Sequence, residues 1–337
     1  MPGEAPRFND DGTVDVPAFR LPPSELSSPE ARAAMALRAN MPMRAPQPGL
    51  EIETIRKGLD AMLEPQVARM MELYPVTITE SEIAGVPVRE IRPASGDIDP
   101  DRVLLNVHGG AFTMCWHSCS LLESVPIAVV GGFRIISANY RMAPEHRHPA
   151  GVEDAAAVYA ALLEDYAPGR IGVFGCSAGG ALTAQLASWT TSHELPQPGA
   201  IGIFGAGSVR FNSGDSAYLA GYADGSFPPP PLPGSDERPA DITNGYFGEY
   251  AMDDPSVSPA LHEAVMARFP PSLIITGTRA MDMSPAIYTN NQLIKAGVES
   301  TLIVGEAMGH CYQYQPDLPE SRDAYDAIVA HFRKRLK

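Results

Sequence analysis

Apolar positions along the chain keep one period at a time, and the period changes at definite places. Over 55–74, Leu59, Met62, Leu63, Val67, Met70 and Met71 recur at helical spacing, which predicts a helix with one face on a core. Methionines on such a stripe serve packing rather than a cofactor. From Val76 the period becomes two. The segments 76–80 and 86–91 flank Ala84-Gly85 like an antiparallel pair at a sheet edge, where Pro87 is tolerated. Unbroken apolar runs follow at 103–107, 133–138, 171–174, 201–204, 272–276 and 300–304; they read as parallel strands covered on both faces. Helical patterns near 151–164, 178–189, 284–296 and 320–335 lie between or after them. The alternation predicts an α/β fold with a mostly parallel central sheet flanked by helices.

Two stretches stand outside this alternation. The interval 205–271 is far longer than an ordinary crossover and contains Phe227-Pro-Pro-Pro-Pro-Leu-Pro233. Within an insertion that proline run reads as a stiff surface loop, with an extended ligand for a partner domain as the alternative. The first 45 or so residues are rich in proline, alanine and methionine, and a helix over 28–38 is expected, with Ser28 as its N-cap and Pro29 at its first position. The insertion emerges where strands end, which is where active sites of such folds lie. A cap formed by 1–50 and 206–262 is therefore expected over a core formed by 51–205 and 263–337. Met35, Met41, Met43, Phe211, Tyr218 and Phe227 are candidates for the wall facing a substrate, with plain packing as their default role.

Chemistry enters at 171–182, where a β-branched run turns through glycines around a serine and continues as an Ala/Leu-rich helix. Gly175, Ser177 and Gly179 stand in G-x-S-x-G spacing, the pattern of a nucleophile elbow, in which side chains two residues either side of the serine would collide with neighbouring backbone. Taken alone, the same pattern also suits an ordinary glycine-rich turn. Upstream, a strand runs directly into His108-Gly109-Gly110-Ala111-Phe112, a glycine pair that lets amide groups face a developing oxyanion. The backbone donors expected are those of Gly109, Gly110 and Ala178. His108 is expected to hold that loop by hydrogen bonds, the alternative being a base. Downstream, His310 lies in the loop after the last strand and is the candidate general base. The order serine, acid, histidine asks for a carboxylate after the preceding strand; Asp282 fills it, with helix N-capping as its other possible role and Glu306 in reserve.

Overall totals narrow the partners. The chain of 337 residues is 45% hydrophobic and 19% charged, with a net charge of −15, enough apolar material for a large core. That charge repels phosphate backbones and anionic membranes, so neither nucleic acid nor a membrane is an expected partner. Arg333-Lys334-Arg335 reads as the basic last turn of a helix. No apolar run reaches the length of a membrane span and the N-terminus lacks the regions of a signal peptide, so a cytoplasmic location is expected. Four cysteines in so long a chain point to free thiols, and Cys115-Trp-His117-Ser-Cys119 lacks the second ligand pair of a structural zinc site. Because Cys115, Cys176 and Cys311 adjoin the motifs, a bulky thiol reagent is expected to obstruct the site, unless those thiols are buried and inert.

Taken in order, the 108–112 loop, Tyr140-Arg-Met-Ala-Pro-Glu145, the elbow at 175–180 and the Asp282 and His310 loops resemble the hormone-sensitive lipase family of α/β-hydrolases, the bacterial family IV esterases, from about Leu104 to the C-terminus. The resemblance implies the α/β-hydrolase fold with a helical cap. It implies a serine carboxylesterase acting on small or short-chain acyl esters through a Ser177, His310 and Asp282 triad and an acyl-enzyme, without metal or organic cofactor, and it suggests a homodimer. It also makes 140–145 a support for the site rather than a reactant. The chain departs from the family pattern in three places: Ala111 replaces a third glycine, Cys176 stands where Asp or Thr is common, and Ala280 occupies the usual position of the acid, two residues before Asp282. An amidase, lactonase or carbamate hydrolase would use the same machinery, and a non-catalytic small-molecule receptor would share the fold.

Overall fold

Residues 5–37, 50–211, 213–224, 230–231, 235–236 and 241–337 are described by the computed structural model; Arg38, Met41, Met43, Phe227 and most of the proline run lie outside them. The chain opens with a small ribbon, β1 (Arg7–Phe8) and β2 (Val14–Asp15), and two helices, α1 (Pro29–Leu37) and α2 (Ile52–Leu73). Ser28 caps α1 as expected, its hydroxyl accepting from the Ala31 amide at 3.0 Å. The same hydroxyl and the Ser28 amide also donate to Glu320, which ties the N-terminal segment to the far end of the chain. The hairpin β3 (Val76–Ile83) and β4 (Val86–Pro93) turns at Ala84-Gly85, both at positive φ.

Thereafter strands and helices alternate: β5 (Val103–Val107), α3 (Trp116–Gly131), β6 (Arg134–Ala138), α4 (Ala150–Asp165), β7 (Ile171–Cys176), α5 (Ala178–Ser192) and β8 (Ala200–Phe204). Then come α6 (Asp215–Asp224) and α7 (Glu263–Met266), followed by β9 (Ser272–Gly277), α8 (Met283–Lys295), β10 (Ser300–Gly305) and α9 (Pro319–Arg335). The eight-stranded sheet has the order β10-β9-β8-β7-β5-β6-β4-β3. It is parallel from β10 to β6, and β4 and β3 are antiparallel at one edge. This is the expected α/β architecture.

Because strand side chains alternate between faces, the apolar runs feed two cores. Val103, Leu105, Val107 and Val173 pack on one face with Val158, Tyr159 and Leu182 of α4 and α5. Leu104, Phe174 and Ile135 pack on the other with Leu122, Val125, Ile328 and Phe332 of α3 and α9. Helix α3 has no counterpart among the expected elements. It is buried on nearly every side and contains Pro126, so it shows no amphipathic stripe from which a helix is read.

One close approach sets the relation between β5, β7 and α5. A Cβ added at Gly175 would lie 2.1 Å from the carbonyl oxygen of Val107, and one at Gly179 would lie 1.9 Å from the same oxygen. Gly179→Ala is expected to destabilise the fold by about 1–3 kcal/mol or more, measured by urea denaturation. A variant as stable as the parent would mean that the elbow does not sit this close to β5.

Candidate active site

Ser177 stands between the last residue of β7 and the first of α5, at φ 59° and ψ −124°, a positive φ that a residue with a Cβ holds only when its surroundings impose it. Its amide donates to Phe204 O at 2.8 Å. The chain cannot relax here, because the two glycines flanking the serine are pressed against Val107. The hydroxyl is thereby presented beside the N-terminus of α5.

The loop after β10 brings His310 to it: Nε2 lies 2.9 Å from Ser177 Oγ. Nδ1 of the same ring lies 2.7 Å from Asp282 Oδ1. Asp282 is fully buried, and its second oxygen accepts from Thr276 Oγ1 at 2.5 Å. Although Asp282 occupies the N-cap position of α8, its carboxylate caps nothing and is committed to His310 and Thr276. The two-residue displacement from Ala280 therefore does not prevent contact with the histidine. Glu306, the reserve acid, is exposed. Phe211 packs edge-on to His310 at 5.3 Å between ring centroids, while Met35 lies on Arg279 and Tyr218 donates to Pro231 O.

One expected oxyanion donor is corrected. The Gly109 amide donates to Glu123 Oε1 at 2.8 Å, so it points away from the serine and is already engaged. The next two amides, of Gly110 and Ala111, and that of Ala178 donate to no other described residue. The loop is held open by its neighbours. His108 is buried, with Nδ1 donating to Gly109 O at 2.7 Å, and burial pushes its pKa down to about 4; it is a neutral support. Tyr140 stacks on His108 and donates to His108 O at 2.7 Å. Arg56 of α2 donates to Thr113 O, Ala143 O and Glu145, which latches the 140–145 segment onto the loop. From the insertion, Tyr246 stacks on Phe112 at 4.5 Å.

Glu123 was not legible as a site residue. It is a buried acid of α3 that accepts from Gly109 N and Tyr314 OH on one oxygen and from Asn106 Nδ2 and Cys176 N on the other. Burial pushes its pKa up to about 7 against those hydrogen bonds. The folded chain thus keeps a proton that the unfolded chain has released, so this group lowers stability as pH rises from about 4.5 to 7. The only trace in the sequence is an acid inside an apolar helical run, Leu121-Leu122-Glu123-Ser124-Val125.

The cysteines are the second correction. Cys176 is joined to Cys311 and Cys115 to Cys119, and none of the four is free. The first pair is 135 residues apart in sequence, but Cys176 precedes Ser177 and Cys311 follows His310. Bringing that serine and histidine together leaves the two cysteine Cα atoms 6.3 Å apart, within disulfide reach. The second pair spans the first turn of α3, with Cα atoms 5.2 Å apart. A count of cysteines does not register such convergence. Thiol reagents consequently have no target here. Titration of the denatured, unreduced chain with Ellman's reagent is expected to find no thiol, and titration after reduction to find all four; thiols before reduction would contradict the pairing.

Residues 104–314 match a family described by its alpha/beta hydrolase fold. An acetyl-hydrolase of Streptomyces hygroscopicus is 28% identical over 245 residues, which cover 72% of this chain and 78% of its own. Versiconal hemiacetal acetate esterase of Dothistroma septosporum is 25% identical over 282 residues, 81% of this chain and 84% of its own. Among solved structures, an esterase of the bacterial hormone-sensitive lipase family aligns with a TM-score of 0.79 at 26% identity, over 92% of this chain and 99% of that one. Esterase E25 shares the fold with a TM-score of 0.80 at 24% identity, over 96% and 99% of the two chains.

Proposed function

The chain belongs to the α/β-hydrolase fold family, in its hormone-sensitive lipase branch of carboxylic ester hydrolases, and from that premise we propose a serine carboxylesterase acting on small or short-chain acyl esters. The observation that carries this reading is the unbroken line from Ser177 Oγ through His310 to buried Asp282. Ser177 attacks the ester carbonyl as its proton passes to His310 Nε2. Asp282 fixes the imidazole with Nδ1–H toward itself and stabilises the imidazolium that forms; the Thr276 hydroxyl holds the carboxylate in place. The tetrahedral oxyanion is held by the amides of Gly110, Ala111 and Ala178, each such donor contributing about 2.7–4 kcal/mol to the barrier reduction. His310 then protonates the leaving alcohol, and water repeats the sequence on the acyl-enzyme.

Two relatives named for acetyl and acetate groups support a small acyl group. We read 1–50 and 206–262 as the cap over the core of 51–205 and 263–337; the ring contacts of Phe211 with His310 and of Tyr246 with Phe112 support this reading. Among the described residues no helix is long and apolar enough to cross a membrane. Two formed disulfides suit an oxidising compartment. A homodimer would have an open sheet edge available at β10, where Val304 is exposed, as is Ile294 on α8.

Hydrolysis of a chain-length series of p-nitrophenyl esters tests the reading. The wild type is expected to turn over acetate and butyrate faster than long-chain esters. Ser177→Ala is expected to lose activity by about a million-fold in kcat, and Asp282→Asn by about 10⁴-fold through the wrong histidine tautomer. A folded wild type that hydrolyses none of the series, or a Ser177→Ala variant that keeps its rate, would overturn it.

A further inference from the structure

Among the described residues, two buried acids are not used by the reaction described above: Asp154, which is paired with Arg141, and Glu123. Glu123 is 4% exposed, and no cation among the described residues pairs with it. The titratable groups facing it are Tyr314 and Tyr140, both kept protonated by burial. A carboxylate taken out of water without a counter-ion is costly unless every lone pair is used. Here each oxygen accepts two donors, and the four donors belong to three separate segments, 106–109, the end of β7 and the turn after His310. Oε1 takes the Gly109 amide at 2.8 Å and the Tyr314 hydroxyl; Oε2 takes Asn106 Nδ2 at 2.9 Å and the Cys176 amide at 3.1 Å.

Those segments are the ones that carry the chemistry. Asn106 is on β5, where the oxyanion loop begins, and Gly109 immediately precedes the amides of Gly110 and Ala111. Cys176 immediately precedes Ser177. Tyr314 closes the short turn Tyr312–Tyr314 that follows His310. We infer that Glu123 is a positioning residue: by holding these three segments on one carboxylate it fixes the oxyanion donors relative to the Ser177 hydroxyl and the His310 ring. Engaging the Gly109 amide is part of that role, because it fixes the peptide from which the next two amides turn toward the serine.

The inference rests on the serine-esterase reading, and it requires a carboxylate, the form Glu123 takes above about pH 7, rather than any polar group of the same size. In Glu123→Gln one oxygen becomes an NH₂, which sets N–H against N–H on one side. Either the Gly109 or the Cys176 amide then loses its acceptor. A role confined to stability would lower the melting temperature and leave the kinetics of the folded fraction unchanged. A positioning role weakens binding of the transition state while leaving binding of the substrate nearly alone.

The test compares folded wild type with folded Glu123→Gln by three readouts: kcat and KM for p-nitrophenyl acetate, affinity for an alkyl boronic acid that forms a tetrahedral adduct on the serine, and the rate of serine labelling by a fluorophosphonate. The kcat is expected to fall about 10- to 100-fold, short of or equal to the loss of one whole oxyanion donor, with KM within about threefold. Boronate affinity and labelling rate are expected to fall by a factor similar to that in kcat/KM. Values within about twofold of wild type on all three overturn the inference, as does a fall in kcat without one in boronate affinity. Should Glu123→Gln not fold, Tyr314→Phe removes one of the four bonds. A parallel fall of about 3- to 10-fold in kcat and boronate affinity is then expected, and unchanged values overturn it. If the wild type labels with fluorophosphonate but turns over no ester, the esterase reading fails by itself. The ratio of labelling rates then decides the part played by Glu123: a fall in the variant upholds it, and equal rates overturn it.

Discussion

The carbonyl oxygen of Val107 is the point against which the site is built. It leaves room for no side chain at Gly175 or Gly179, so the chain between them must turn tightly and carry Ser177 at a positive φ. The glycines supply room for the close approach, the unusual dihedral falls on Ser177 itself, and the turn places the serine hydroxyl where α5 begins. The same strand end continues into the oxyanion loop. Nucleophile and amide donors are therefore set relative to one another by a contact between two backbones, which is stiffer than any side-chain contact.

Around that contact the electrostatics are arranged by burial. Asp282 is fully buried, with Thr276 on one oxygen and His310 on the other. A carboxylate so placed favours the imidazolium that forms as the serine attacks. His108, equally buried, is driven to the neutral form and serves the loop through a hydrogen bond to Gly109 O. Glu123 sits under the whole assembly and lowers stability above mildly acidic pH. A fold that keeps such a group places it where apolar packing would do better for stability alone, and the four donors on it are drawn from the three segments that carry the oxyanion loop, Ser177 and His310.

Much of this was legible from residue pattern because the fold is built from unbroken apolar strands, whose limits matched to within two residues. Ser177 and His310 stood out because strand-end loops with glycines are rare enough to mark. Three things were not legible. Helix α3 is buried on nearly every side, polar residues included, and gives no period. The engagement of Gly109 depends on Glu123, which comes from a helix packed beneath the loop, and no spacing rule connects the two residues. The Cys176–Cys311 pair is a consequence of the serine and histidine meeting, so it becomes visible only after the loops have been placed in space. Asp282 is the reverse case: its position two residues late suggested doubt, yet the first turn of α8 still delivers its carboxylate to His310.

The central claim is that Ser177 becomes acylated. Rapid acid quench of the enzyme with p-nitrophenyl acetate, followed by peptide mass spectrometry, tests it most directly. An acetyl group on Ser177 that forms within the first turnover and decays as substrate runs out is the predicted result. Steady ester hydrolysis with no covalent adduct, or with the acetyl group on another residue, would contradict the account.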